Sequence, residues 1–81
     1  METCVAVISI IVHNTDSVEK LNGVLHDYSQ YIIGRMGIPY REGDLNIISV
    51  ILKASGDEIS ALSGSLGRLN GVSVKAMQTP L

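Results

Sequence analysis

The sequence predicts an α+β domain with the ferredoxin-like order β-α-β-β-α-β, in which a four-stranded antiparallel sheet carries two helices on one face. Three observations lead to this prediction. The chain repeats itself at an interval of about 40 residues, each copy contains a helix start signal, and each copy ends in a second apolar run. The 81 residues suffice for one small core, and since Trp and Phe are absent, that core must be aliphatic.

The first strand of each half is the clearest part of the repeat. The segments VISIIV (7–12) and IISVIL (47–52) match position for position, and each has serine in third place. Side chains alternate between the two faces of a strand, so one set of aliphatic residues is predicted to lie beneath the helices. That set is Ile8, Ile10, Val12, Ile48, Val50 and Leu52.

A helix follows each of these strands. Asp16 with Glu19 and Ser55 with Glu58 have the spacing of helix caps, and the second pair fits the S-x-x-E capping box. Apolar residues then recur at helical spacing, which predicts one buried stripe per helix. The two stripes are Val18, Leu21, Leu25 and Tyr28 in the first helix and Ile59, Leu62, Leu66 and Leu69 in the second.

The second strands, YIIGRM (31–36) and VSVKAM (72–77), are predicted at the two edges of the sheet. The halves then span 5–36 and 45–77 of a single domain covering 1–81. Residues 37–44 contain Gly37, Pro39 and the pair Gly43–Asp44, which are typical of turns. This stretch is therefore predicted to be the hairpin that joins the halves.

Because side chains alternate along each strand, a second set of aliphatic residues lies on the surface of the sheet that faces away from the helices. We term this surface the open face. Such a surface is usually polar in an antiparallel sheet covered on one side. A contiguous apolar patch on a small domain marks an interface more often than not. We therefore expect a homo-oligomer, a dimer or tetramer, that buries Val5, Val7, Ile11, Ile47 and Ile51.

Charge and cysteine content exclude several classes of function. The net charge is −2, and the six Lys and Arg residues are scattered, so direct nucleic-acid binding is not expected. The single cysteine, Cys4, cannot form an internal disulfide and fits a reducing compartment. The first apolar run is too short to span a bilayer and Glu2 does not suit a signal peptide, so we expect a cytoplasmic protein without a membrane segment.

No catalytic motif is present, and neither an enzymatic activity nor a cofactor is predicted. Cys4 and His13 lie at opposite ends of the first strand, roughly 30 Å apart at the usual rise per residue, so they cannot share a metal ion within one chain. No metal ligands are assigned on this basis. A site assembled between subunits from His13, His26 or Cys4 remains an alternative.

The most distinctive stretch of the sequence is GRMGIPYR (34–41). Glycine lets a backbone approach a ligand, and two arginines can bind an anion through paired hydrogen bonds. The alternative is purely structural, with a glycine that lets an edge strand bulge and arginines that are solvated. The candidate ligand-binding residues are Gly34, Arg35, Gly37, Pro39, Tyr40 and Arg41.

The segments VEKLNGVLHDY, IIGRMGIPYRE and DEISALSGSLGRLNGVSVK resemble the small iron-only hydrogenase system regulators. The resemblance runs from about Val5 to Lys75. These are ACT-like domains, similar in fold to the ligand-binding C-terminal domain of nickel-responsive repressors. The resemblance implies a non-enzymatic, oligomeric regulatory domain tied to transcription or to metallocofactor metabolism. It extends to the nickel-responsive repressors in fold only, so no metal ligands are carried over from them to this chain.

The sequence therefore favours a regulatory, ACT-like homo-oligomer that senses a small molecule, without a DNA-binding module of its own, and that acts through a small-molecule effector or a partner regulator protein. One alternative is a metal-responsive regulator, for nickel or iron, with a site between subunits. Another is an adaptor or oligomerisation domain without a ligand. A sensor is expected to hold its ligand in a pocket between subunits, near the helix-start loops or the hairpin arginines.

Overall fold

A computed structural model describes residues 2–81. Short 3₁₀ turns at Thr15–Ser17 and Ser29–Tyr31 precede the first helix and the second strand. The strands and helices follow the predicted order β-α-β-β-α-β. They are β1 (Thr3–Val12), α1 (Val18–Asp27), β2 (Ile32–Tyr40), β3 (Leu45–Ser55), α2 (Gly56–Gly67) and β4 (Val72–Pro80).

The four strands form one antiparallel sheet in the order β2-β3-β1-β4. The first strands of the two halves are its centre and the second strands are its edges, as the repeat predicts. At the middle of the β1–β3 pair, Ser9 lies opposite Ser49, the two serines that occupy equivalent places in the repeat. The ferredoxin-like fold is thereby confirmed.

The hydrophobic core lies between the sheet and the two helices. The predicted strand residues on this side are buried, together with Leu21 and Leu25 of α1 and with Ile59, Leu62 and Leu66 of α2. The remaining members of the two stripes, Val18, Tyr28 and Leu69, pack half-buried around them. Strand alternation thus predicted the sheet side of the core correctly, and helical periodicity predicted the helix side.

The two helices begin differently. At α2, Ser55 and Glu58 form the predicted capping box, with the Ser55 hydroxyl accepting from the Glu58 N–H at 3.2 Å. At α1 the predicted Asp16 cap is wrong, because Asn14 Oδ1 accepts from the Asp16 N–H and the helix itself begins after Ser17. The Ser17 hydroxyl donates instead to the Asn70 carbonyl at 2.5 Å, so it joins the start of α1 to the loop after α2.

The hairpin between the halves is shorter than predicted. Residues 37–40 continue β2, and the turn comprises only residues 41–44, closed by the Asp44 N–H donating to the Arg41 carbonyl at 3.3 Å. Pro39 is tolerated within β2 because this is an edge strand, where a missing N–H need not break a ladder. Asp44, rather than a glycine, adopts the positive φ of 54°.

β2 contains an irregularity that changes which side chains face the helices. Ile32 pairs with Leu52, but Gly34 pairs with the adjacent residue, Ile51, so Ile33 is an additional residue in the strand. This is the two-against-one arrangement of a β-bulge, which the sequence suggested at Gly34. Beyond the bulge, Arg35 lies opposite the buried Val50.

Candidate functional site

The open face of the sheet is built from registered rows of side chains. Two largely aliphatic rows flank a row that contains both repeat serines. In the order β2-β3-β1-β4 the rows are Ile38–Ile47–Ile11–Ser73, Met36–Ser49–Ser9–Lys75 and Gly34–Ile51–Val7–Met77. None of these twelve residues is acidic, and the single lysine is on an edge strand.

The five residues predicted to form an interface all lie on this face. Ile11, Ile47 and Ile51 remain 38–41% exposed in the single chain, although they sit at the centre of the sheet. The edge strands add Met36, Ile38 and Met77, which are more than half exposed. Alternation alone would place Met36 and Ile38 on the helix side, because the reversal of phase in β2 at the Ile33 bulge is not visible in the sequence pattern. Met77 follows from the alternation of β4, which the sequence prediction did not extend to the open face.

The structure divides the six candidate ligand-binding residues between different surfaces. Arg35, Gly37 and Pro39 pair with Val50, Ile48 and Asn46 and therefore face the helix side of β2. The other three do not join them: Gly34 and Tyr40 alternate to the open face, and Arg41 lies in the turn. The Tyr40 hydroxyl donates to Glu42 at 3.3 Å.

A groove runs between α1 and the edge strand β2, and Arg35 lies in its middle. Arg35 Nη2 donates to Asn22 Oδ1 of α1 at 3.1 Å. The Arg35–Asn22 pair separates two hollows and lines both. One, of about 240 Å³, lies beside Gly37, and the other, of about 290 Å³, lies beside His26. We name these the Gly37 hollow and the His26 hollow.

The Gly37 hollow exists partly because Gly37 has no side chain. A Cβ at this position would point toward Ile48, whose nearest atom is 4.0 Å away, so the space is open. Val18, Pro39 and Ile48 supply apolar walls, and Asn22 and Asn46 supply amides. Neither hollow is lined by an Asp or Glu among the described residues, which leaves Arg35 as the principal charge in the groove.

A third hollow, of about 380 Å³, lies at the start of α2. Its lining includes Glu2 and Asp57 as well as the buried Cys4. The helix N-terminus here already holds the Glu58 carboxylate, which accepts from the Ser55 N–H at 3.0 Å. An added anion would therefore meet carboxylates, so this loop suits an anionic ligand less than the Arg35 groove does.

The potential metal ligands do not come together within the chain. Among residues 2–81, no group of three or more His, Cys, Asp and Glu side chains has a geometry that could hold a metal ion. His13 follows β1 and has its Nε2 3.4 Å from the Ser73 hydroxyl, whereas His26 is exposed near the end of α1. Cys4 is buried at the opposite end of β1.

The fold defines a class of small domains with ACT-like, ferredoxin-like topology, in which two helices cover one face of a four-stranded antiparallel sheet. The sequence profile of the family described as "TM1266-like: Iron-only hydrogenase system regulator, putative" matches residues 4–76. The chain belongs to this family, as its three motifs indicated. A comparison with curated proteins gives no match.

The structure is similar to that of uncharacterized protein TM1266 from Thermotoga maritima, with a TM-score of 0.88, 38% identity and 99% of each chain covered. More distant similarity, which concerns the fold alone, extends to a formyltetrahydrofolate deformylase from Pseudomonas putida. That match has a TM-score of 0.64 and 10% identity, and it covers 90% of this chain but 28% of the deformylase.

A protein from Galdieria sulphuraria shares the fold at a TM-score of 0.65 and 16% identity, over 96% of this chain and 46% of that one. The family's description as a regulator agrees with the prediction of a non-enzymatic domain. Within residues 2–81, neither helix is long and apolar enough to cross a membrane.

Proposed function

We propose that the chain is a homo-oligomeric, small-molecule-sensing regulatory domain of an iron-only hydrogenase system, and that two copies associate through the open face. The observation that carries this proposal is the composition of that face. Its central strands expose Ile11, Ile47 and Ile51, and its rows contain no acidic residue. Interface centres are typically depleted of charge in this way.

A second copy of the chain is the occupant that suits this face best. The internal repeat relates Val7 to Ile47 and Ile11 to Ile51, so the apolar surface is arranged nearly symmetrically about the Ser9–Ser49 pair. A two-fold dimer requires a self-complementary surface. Two such faces can stack at the usual separation of about 10 Å between packed sheets, with Lys53 and Lys75 toward the periphery.

The sensing part of the proposal is supported by the position of the groove. β2 lines the groove with Arg35 and Gly37 and carries Met36 and Ile38 on the open face. A ligand that contacts β2 from the helix side therefore acts on the same strand that would contact the partner. A ligand shifts an assembly equilibrium when it binds the assembled and the free forms with different affinity, and we propose that contact with β2 supplies that difference.

Mass measurement in solution tests the assembly. We expect native mass spectrometry and light scattering to give a multiple of the 8.7 kDa chain mass. Ile51→Lys places a charge at the centre of the open face and should return the protein to the monomer mass, since burying an unpaired charge is costly. Ala61→Lys, on the exposed surface of α2, is the matched control and should leave the assembly intact.

Two results would contradict the assembly. Wild-type protein that stays at 8.7 kDa over the accessible concentration range would show that the open face is not covered by a second copy. An Ala61→Lys variant that dissociates as readily as Ile51→Lys would place the contact on the helices instead.

A further inference from the structure

The groove beside Arg35 has the features of a site for a specific class of ligand. Arginine presents five N–H donors in a planar fork, which matches the two oxygens of a carboxylate. Among residues 2–81, the structure gives the Arg35 side chain one hydrogen bond, to Asn22. That bond holds the guanidinium across the groove and leaves further donors free.

The two sides of Arg35 differ in what they offer a ligand. The Gly37 hollow has apolar walls from Val18, Pro39 and Ile48, whereas the His26 hollow combines the apolar Leu25 and Ile32 with the polar His26 and Ser29. At about 240 Å³ the Gly37 hollow is below the usual size of sites for drug-sized ligands. It fits a compact apolar group of a few carbon atoms next to a charged end.

We infer that the groove between α1 and β2 binds a small organic carboxylate, with the carboxylate on Arg35 and a short branched apolar body in the Gly37 hollow. Asn22 positions the guanidinium, and the Asn46 amide lies at the hollow's edge for any further polar group. Gly34, Tyr40 and Arg41 take no part in this site. The inference rests on the proposed function, because it names the site and ligand class of the sensor.

A titration followed by ¹⁵N-resolved NMR tests the site. The probes are sodium acetate, isobutyrate and isovalerate at constant ionic strength, with isovaleramide as an uncharged control of the same shape. We expect saturable shifts of the Asn22, Arg35 and Gly37 amides with the branched acids and none with the amide. Arg35→Gln should weaken isovalerate binding at least about tenfold, because the charged hydrogen bonds are lost.

Two variants separate this site from a general attraction to positive charge. Arg41→Gln removes an equal charge from the turn outside the groove and should bind isovalerate as the wild type does. Gly37→Ala fits without a clash, since the added Cβ approaches Ile48 only to 4.0 Å, yet it occupies part of the hollow. It should weaken isovalerate binding more than acetate binding.

Several outcomes would overturn the inference: no saturable shift with any of the three acids, equal binding of isovaleramide, or equal losses in Arg35→Gln and Arg41→Gln. Native masses measured on the same samples show whether ligand binding and assembly occur independently of each other. Arg35-dependent binding by a monomer would retain the site and refute the dimer. An assembled protein without Arg35-dependent binding would retain the dimer and refute the site.

Discussion

Both the side chain and the backbone N–H of Glu58 form hydrogen bonds at the start of α2. Its carboxylate accepts from the Ser55 N–H and hydroxyl at 3.0 and 2.9 Å, while its own N–H completes the capping box. The Tyr31 hydroxyl beside it, followed by the two Ser55 groups, holds the pKa of Glu58 below its ordinary value. The same contact raises the pKa of Tyr31.

This environment predicts a pH dependence of stability. Because folding lowers the pKa of Glu58 from its ordinary value near 4.5, the stabilisation is present above that pH and is lost as pH falls through the lowered folded pKa. Glu58→Gln should flatten this part of the profile of unfolding free energy against pH, and Tyr31→Phe should flatten it partly. Urea unfolding across the acid range measures it, and parallel wild-type and Glu58→Gln curves would contradict it.

At the scale of elements, the bulge in β2 determines the chemistry of the groove. Uninterrupted alternation from Ile32, which faces the core, would place Arg35 on the open face. The extra residue at Ile33 reverses that phase, so that Arg35 reaches Asn22 of α1 and Met36 joins the open face. A single inserted residue thus moves a cation from the proposed interface into the proposed ligand site.

Two glycines predict opposite responses to the same substitution. Gly23 lies within α1, and an added Cβ meets nothing within 4 Å, so Gly23→Ala should raise the free energy of unfolding by about 0.5–1 kcal/mol. Gly71 precedes β4 with φ of 70°, and its Cβ would lie 2.6 Å from that of Asn14. Gly71→Ala should therefore lower the free energy of unfolding by at least about 1 kcal/mol.

Urea unfolding of the two variants at equal protein concentration checks this pair. Both variants add the same methyl group. The opposite signs of their changes in unfolding free energy therefore report the backbone conformation and the space available at each site. A stabilised Gly71→Ala variant would show that the loop between α2 and β4 can relax away from Asn14.

In the whole molecule, the two faces of the sheet differ in how much of their apolar surface is buried. The helices bury the central strands on one side, where Ile8, Val50 and Leu52 are inaccessible to solvent, whereas the open face keeps isoleucines about two-fifths exposed. A small domain buries a smaller fraction of its surface on folding than a large one does, so burial of the open face by a second copy would add to its stability. Stability and assembly are then linked.

This linkage predicts that the melting temperature of the wild-type protein rises with protein concentration, by mass action. For Ile51→Lys the melting temperature should be independent of concentration, whatever its absolute value. Ala61→Lys should retain the wild-type slope. Scanning fluorimetry or calorimetry over a dilution series measures this, and a flat wild-type response would argue against a dimer coupled to folding.

Local patterns in the sequence were sufficient to predict the repeat, the order of the elements and the aliphatic core. Periodicity is a local property, and the equivalence of VISIIV and IISVIL together with the two helical stripes left one economical topology. It also identified the open face, since alternation along β1 and β3 is unbroken. The distinctive stretch at 34–41 did contain Arg35, Gly37 and Pro39, but it also contained Gly34, Tyr40 and Arg41, which lie on other surfaces.

Which of those residues share a surface depends on how distant strands pair, and local patterns do not contain that information. The phase of β2 depends on where its extra residue is accommodated against β3, and pairing between distant segments sets that position. The cap of α1 was decided in the same way, because Ser17 is drawn to the Asn70 carbonyl far along the chain. Local patterns fix what each element is, whereas contacts between elements fix which way Arg35 faces.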